Sequence, residues 1–316
     1  MGGRTVEDPS GRGRASKPGC GEKGAAAEEK PLAPGLYLVA TPIGNLADVT
    51  LRALSVLASA DRIWCEDTRV TARLLASYGI RKKPLQPYHD HNAERARPAI
   101  LAALRRGERV ALVSDAGTPL ISDPGYKLVR EALAEGLALS AIPGPSAALA
   151  ALLVSGLPPD RFLFAGFLPP RQKARRRALE PWAALLASLI FFESTPRLGE
   201  SLADMAAVLG ERPAAVAREL TKLHEEVRRG KLGELAAYYR EKGPPRGEAV
   251  IVVGPPVAAP PAPAEIDLRL EKALAALSVR EAAARIAVET GLPRAAIYRR
   301  ALDLKRAKEG GDEPGA

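Results

Sequence analysis

The densest run of chemically capable residues is SDAGTPLISDPG (114–125), in which two Asp, two Ser, one Thr, two Gly and two Pro follow the apolar run RVALV (109–113). Carboxylates and hydroxyls supply hydrogen-bonding groups, Gly permits backbone conformations closed to other residues, and Pro limits the freedom lost on binding. At the end of a strand, such a loop suits a small polar ligand better than a core. TPIGN (41–45) and PGPSAA (143–148) have the same character and also follow apolar runs. None of the three contains G-x-G-x-x-G or G-x-x-x-x-G-K-[ST], so the ligand is not expected to be anchored by a pyrophosphate. HDHN (89–92) sets His89 and His91 two residues apart with no third convergent ligand. That is a weak zinc pattern; no metal is expected, and Asn92 suits a helix N-cap.

The elements needed to position these loops are legible as a rhythm. GLYLVAT (35–41), DRIWCE (61–66), RVALV and LALSAI (137–142) are strand-like, and amphipathic helical stretches separate them. Alternation of this kind predicts βαβ units and a mostly parallel sheet, whose ligands sit beyond the carboxyl ends of the strands. The three loops would then line one crevice. We expect a first α/β domain over 34–167, ending in the strand FLFAGFLPP (162–170), and a second over 168–254 with strands SLIFFES (188–194), AAVAREL (214–220) and EAVIVVG (248–254).

Residues 1–33 lack apolar periodicity and read as a disordered extension, as do 309–316. PPVAAPPAPA (255–264) reads as a semi-rigid linker to a basic helical module over 265–308. In that module Ser278 and Glu281 form a capping-box pattern, Gly291 suits a helix C-cap, and Pro293 suits the first turn of the next helix. The pattern is helix-turn-helix-like. Residues 269–308 hold ten Lys/Arg against four Asp/Glu, and RQKARRR (171–177) holds five basic residues in seven, within a chain of net charge +9. Together these clusters point to a polyanionic partner such as nucleic acid. No run approaches the roughly eighteen apolar residues of a membrane span, the N-terminal residues lack the apolar core of a signal peptide, and two Cys argue against a disulfide framework, so a cytoplasmic setting without membrane attachment is expected.

TPIGNLADVTLRAL, EDTR (66–69), SDAGTPLISDPG, IPGPSAALAAL, FAGFLP, FFESTPRL and RELTK (218–222), in that order, resemble the ribosomal RNA small subunit methyltransferase I family, within the tetrapyrrole methylase superfamily. The resemblance spans about residues 35–254 and extends to the basic tail. It implies a two-domain, class III methyltransferase fold with a small C-terminal helical module, S-adenosylmethionine in the cleft between the domains, and a homodimer. The implied substrate is small-subunit ribosomal RNA, free or in the assembled subunit. The implied reaction is 2′-O-methylation of one decoding-region cytidine, cytidine 1402 of 16S ribosomal RNA.

On the same ground the cofactor would be held by Pro42, Gly44, Asn45, Asp115, Ala116, Gly117, Thr118, Pro119, Ser122, Pro143, Ser146 and Ala147. Asp115 would accept from its polar groups, and Gly117 would let the backbone approach it. Glu66, Asp67, Asp115 and Glu219 follow or end strands and are alternative general bases, with no choice among them. RNA would meet Arg69, Lys222, the cluster Arg171, Lys173, Arg175, Arg176 and Arg177, and the tail residues Arg294, Arg299, Arg300, Lys305 and Arg306. Arg69 and Lys222 are equally suited to pair with carboxylates. Competing readings are a sibling methyltransferase acting on a porphyrinoid or other small acceptor, and a DNA-binding regulator with an enzyme-like sensor domain. The two basic regions weigh against the first.

Overall fold

The computed structural model describes residues 32–256 and 262–309. The expected N-terminal extension as far as residue 31, linker residues 257–261 and the tail from residue 310 lie outside the described residues. The first half runs β1 (Gly35–Val39), α1 (Leu51–Ser59), β2 (Arg62–Cys65), α2 (Thr68–Ser77), β3 (Leu85–Pro87), α3 (Ala93–Arg105), β4 (Arg109–Val113), α4 (Tyr126–Ala134) and β5 (Leu139–Ile142). The five strands form one sheet in the order β3-β2-β4-β1-β5, parallel throughout. Parallel strands covered on both faces must be apolar on both. Accordingly Val39, Ile63 and Val113 pack with Val56, Leu57 and Leu75 of α1 and α2, while Leu36, Trp64 and Leu112 pack with Ile100, Leu104 and Leu128 of α3 and α4.

The second half continues with α5 (Ala147–Ser155), β6 (Phe162–Phe167), α6 (Gln172–Leu179), β7 (Ser188–Ser194), α7 (Leu198–Leu209), β8 (Pro213–Arg218), β9 (Glu226–Lys231), α8 (Leu232–Lys242) and β10 (Glu248–Val253). Its sheet has the order β6-β7-β10-β8-β9; β6 pairs parallel with β7, and the remaining neighbours are antiparallel. The strand expected to close the first half, β6, therefore belongs to the second sheet. So does the cover supplied by α5, whose Ala148, Ala151 and Leu152 pack on Ile190, Val250 and Val252. The chain crosses between sheets in the loop after β5. On the other face of the second sheet, Leu179, Leu198, Leu202 and Leu235 bring α6, α7 and α8 onto Leu189, Phe191 and Ile251.

The C-terminal module is three helices, α9 (Pro263–Leu274), α10 (Val279–Thr290) and α11 (Arg294–Glu309). The Ser278 hydroxyl accepts from the Glu281 N–H, and the Glu281 carboxylate accepts from the Ser278 N–H at 3.0 Å; Gly291 ends α10 with φ of +67°. Ile266, Leu270, Ile286 and Ile297 form its core. Among the described residues, no helix is long and apolar enough to cross a membrane.

Candidate active site

The order β4-β1-β5 sets the three chemically rich loops side by side, because each follows one of three neighbouring strands. Hydrogen bonds then lock them together. The Thr41 N–H donates to Gly117 O at 2.9 Å and the Gly117 N–H returns to Thr41 O at 3.0 Å; the Thr118 hydroxyl donates to Pro145 O at 3.1 Å. Gly117 has φ of +85°, and a Cβ there would meet nothing nearer than Ile43 Cγ2 at 3.4 Å. Among protein atoms nothing crowds this position, so it is the dihedral that favours glycine here.

Between this loop layer and the second sheet lies a cavity of about 470 Å3. One wall carries Glu66, Asp115, Ala116, Gly117, Thr118, Ser122, Asp123, Ser146 and Ala147, and the other Phe167, Phe192, Glu193, Ser194, Thr195, Glu219, Glu248 and Val250. Seven of the twelve residues expected to hold a cofactor thus line one space. Pro42, Gly44, Asn45, Pro119 and Pro143 do not line it. Asn45 instead accepts from the Ala47 N–H to cap a short 3-10 turn.

Of the four candidate bases, three reach the cavity. Asp67 does not: its side chain caps α2 through the Arg69 N–H at 2.8 Å and holds the Arg69 guanidinium at 2.6 Å, which keeps its pKa well below the usual range. Glu219 lines the cavity, yet Lys222 Nζ sits 3.0 Å from its carboxylate. Burial raises its pKa, but Lys222 and the Glu248 N–H outweigh that, so it lies below normal. Glu66 and Asp115 differ. The Asp115 N–H donates to Glu66 Oε2 at 3.3 Å, and the Asp67 N–H donates to Asp115 Oδ1 at 2.9 Å. Among the described residues neither carboxylate makes an ion pair, and burial raises the pKa of both.

Sequence reading missed Asp123. It lies beside Glu66 and hydrogen-bonds to it, and burial together with the Glu66 charge pushes its pKa up to about 7. The residues are 57 positions apart, and only the loop after β4 folding over the end of β2 brings them together. Glu193 was missed too. It is buried and accepts from Arg197 at 2.5 Å and from the Ser194 N–H at 2.8 Å, with Ser201 closing the network at 2.5 Å.

Several expected RNA contacts are occupied elsewhere. Arg175 is buried, only 1% exposed, and binds Asp204 at 2.7 Å; Arg176 binds the other oxygen of Asp204 at 2.6 Å. Lys222 bridges Glu219 and Glu248. Arg300 braces α11 against α9 through Asp267. Arg171, Lys173 and Arg177 on the α6 segment are exposed, as are Arg294, Arg299, Lys305 and Arg306 on α11. Asn92 stands at the α3 N-cap position, but its side chain turns back, accepting from the His89 N–H and donating to Pro87 O. His89 and His91 meet edge to face. Among the described residues, no three His, Cys, Asp or Glu side chains gather as a metal ligand set.

Residues 35–236 match the family model for Tetrapyrrole (Corrin/Porphyrin) Methylases, and 260–305 match that for the RsmI C-terminal HTH domain. The ribosomal RNA small subunit methyltransferase I of Mesorhizobium japonicum is 55% identical over 284 residues, covering 90% of this chain and 96% of its own. That of Escherichia coli O157:H7 is 47% identical over 271 residues, covering 85% and 94%. Among solved structures, uroporphyrin-III C-methyl transferase from Thermus thermophilus complexed with S-adenyl homocysteine aligns over 70% of this chain and 97% of its own, at 21% identity and TM-score 0.50. Diphthine synthase aligns over 69% and 89%, at 17% identity and TM-score 0.55. At these identities the likeness to the solved structures is one of fold.

Proposed function

The chain belongs to the ribosomal RNA small subunit methyltransferase I family, within the tetrapyrrole methylases, and from that premise we propose that it methylates the 2′-hydroxyl of a decoding-region cytidine in small-subunit ribosomal RNA, using S-adenosylmethionine. The observation that carries the reading is the cleft itself: a cavity of about 470 Å3 in which Glu66, Asp115 and Asp123 converge, with no ion pair to any of them among the described residues. That volume suits a cofactor of this size. Uncompensated carboxylates suit its ammonium and sulfonium charges, and Ile43, Phe167, Phe192 and Val250 offer an apolar face to a purine.

When bound, S-adenosylmethionine supplies a methyl group on a positively charged sulfur that is ready for in-line displacement. The chain's task is alignment, worth roughly 7–11 kcal/mol, with a smaller gain of about 10²- to 10⁴-fold from a base. Of the four candidate bases, Asp67 and Glu219 are spent on Arg69 and Lys222. Asp115 would accept from the cofactor's polar groups. Glu66 with Asp123 takes the hydroxyl proton, for which a raised pKa near neutrality is suited.

Arg171, Lys173 and Arg177 lie just beyond the cavity-lining Phe167 and would hold RNA phosphates, with Arg294, Arg299 and Arg306 of α11 engaging RNA farther out. We place the protein in the cytoplasm as a homodimer that covers the exposed Leu149 and Leu153 of α5. A monomeric sedimentation coefficient at working concentration would remove the dimer.

Alkaline cleavage of RNA needs a free 2′-hydroxyl. Small-subunit RNA treated with enzyme and S-adenosylmethionine should therefore resist alkali at one decoding-region position. Methylated RNA without a protected position refutes the ribose assignment. Deletion of residues 265–316 should leave cofactor affinity unchanged and flatten the salt dependence of RNA binding, by about 0.7–0.9 in log-log slope for each phosphate that the shortened chain no longer neutralises. An unchanged slope would remove the tail from the interface.

A further inference from the structure

Non-glycine residues in the left-handed region are uncommon, and a β-branched residue there is a true outlier. Among the described residues such positions are Lys82, Leu120, Ser122, Glu219 and Thr221. Four of these five fall in two loops, one on each side of the cleft, and Ser122 and Glu219 line it directly. Strain of this kind persists only where the surroundings hold it, and it gathers at sites that act.

The second-sheet loop is held tightly. The Thr221 N–H donates to Glu225 at 2.7 Å, the Lys222 N–H donates to Glu219 O at 3.0 Å, and the Glu248 N–H donates to the Glu219 carboxylate at 3.0 Å. With Thr221 turned to φ of +65°, its hydroxyl oxygen accepts from the Asn45 N–H at 3.1 Å. Next to that bond, Gly44 presses against the same loop: a Cβ on it would come within 2.5 Å of Lys222 Cγ, 2.8 Å of Thr221 Oγ1 and 3.0 Å of Leu220 O. Ile43 completes the contact, buried with Leu220 and Val250. Ile43, Gly44 and Asn45 belong to the loop whose Thr41 is doubly bonded to Gly117. One continuous tie therefore runs from the 115–118 wall, through Thr41 to Asn45, to Thr221 and the Glu219 wall.

We propose that Gly44 and Thr221 are positioning residues whose contact sets the separation of the two cleft walls, and so the fit of the cofactor. The inference rests on the methyltransferase reading. Its physical content is that Thr221 accepts an unfavourable backbone conformation in order to place one oxygen under the Asn45 N–H. Stability and function should therefore move in opposite directions at this residue.

Calorimetric binding of S-adenosylmethionine and thermal melting of the full chain test it. Thr221→Gly relieves the strain and removes the hydroxyl; we expect an equal or higher melting temperature with affinity reduced roughly three- to tenfold, the value of one hydrogen bond. Thr221→Ser keeps the hydroxyl and should restore affinity to within about twofold of wild type. Gly44→Ala should weaken binding by at least as much as Thr221→Gly, with a single cooperative melt. Wild-type affinity in Thr221→Gly, or an equal loss in Thr221→Ser, overturns the tie. Failure of the wild-type protein to bind S-adenosylmethionine overturns the underlying reading, and the two failures are distinguishable.

Discussion

On the first-sheet wall of the cleft, Glu66, Asp115 and Asp123 gather with no ion pair among the described residues, whereas on the opposite wall Glu193 is bound by Arg197 and Ser201, and Glu219 shares Lys222 with Glu248. The residue types are the same and the electrostatic states are opposite. Burial pushes Glu66, Asp115 and Asp123 toward their protonated forms, while Glu219 is held ionised against burial by Lys222. A wall of paired carboxylates can frame a site, but most of its charge is already compensated. A wall of unpaired ones is costly to the fold and can take up a cation or a proton. Under the proposed function, the second sheet would frame the site and the first would carry its chemistry.

The largest effect should come from breaking the frame. Glu193→Ala leaves Arg197 without its buried acceptor and should cost about 3 kcal/mol in urea denaturation, the usual penalty for an orphaned partner. A loss below about 1 kcal/mol would show that water or another carboxylate replaces it.

On the first-sheet wall the sign should reverse. The pKa of Asp123 is raised from 3.8 to about 7, so the folded protein holds this proton more tightly than the unfolded chain. Its contribution is fully present below about pH 4 and is lost as pH rises through 7. Asp123→Asn should therefore stabilise the protein at pH 8, by about 1–2 kcal/mol after allowance for solvent screening, and change little at pH 4. Methyl transfer by the same variant should fall about 10²-fold. Denaturation at the two pH values checks the first expectation and single-turnover transfer the second; destabilisation at pH 8 would mean that the carboxylate is stabilised by a partner.

The smallest stability effect is expected at Arg69, whose pair with Asp67 is largely exposed. Arg69→Ala should leave the melting temperature close to that of the wild type, since such pairs contribute little and Asp67 keeps its cap to the α2 backbone. A loss of RNA affinity without loss of stability would return Arg69 to the RNA surface; no change in either would leave it a local partner of Asp67.

Much of this architecture was legible in the order of residues, and the exceptions have physical causes. β3 is three residues ending in Pro87, and β9, EVRRGK, has four charged residues in six; both are edge strands, where short length, proline and charge are tolerated because one side forms no ladder. The periodicity that marks a buried strand is therefore weak in both. FLFAGF was recognisable as a strand, but sheet membership is decided by pairing with β7, at a distance no local pattern records.

By itself the sequence determined the strand-helix rhythm, the three Gly- and Pro-rich loops that follow neighbouring strands, the capped helices of the basic module and the family motifs, because each rests on propensities and spacings within a dozen or so residues. Tertiary structure alone decided which charges are free. Arg175 and Arg176 looked identical to Arg171 and Arg177 along the chain, yet Asp204 on α7 claims two of the four. Glu66 and Asp67 are neighbours, yet Arg69 neutralises one while the other is left to Asp123. Ion pairing and desolvation depend on what the fold brings within a few ångströms, and that distance is set by how the strands are ordered and how the loops cross above them.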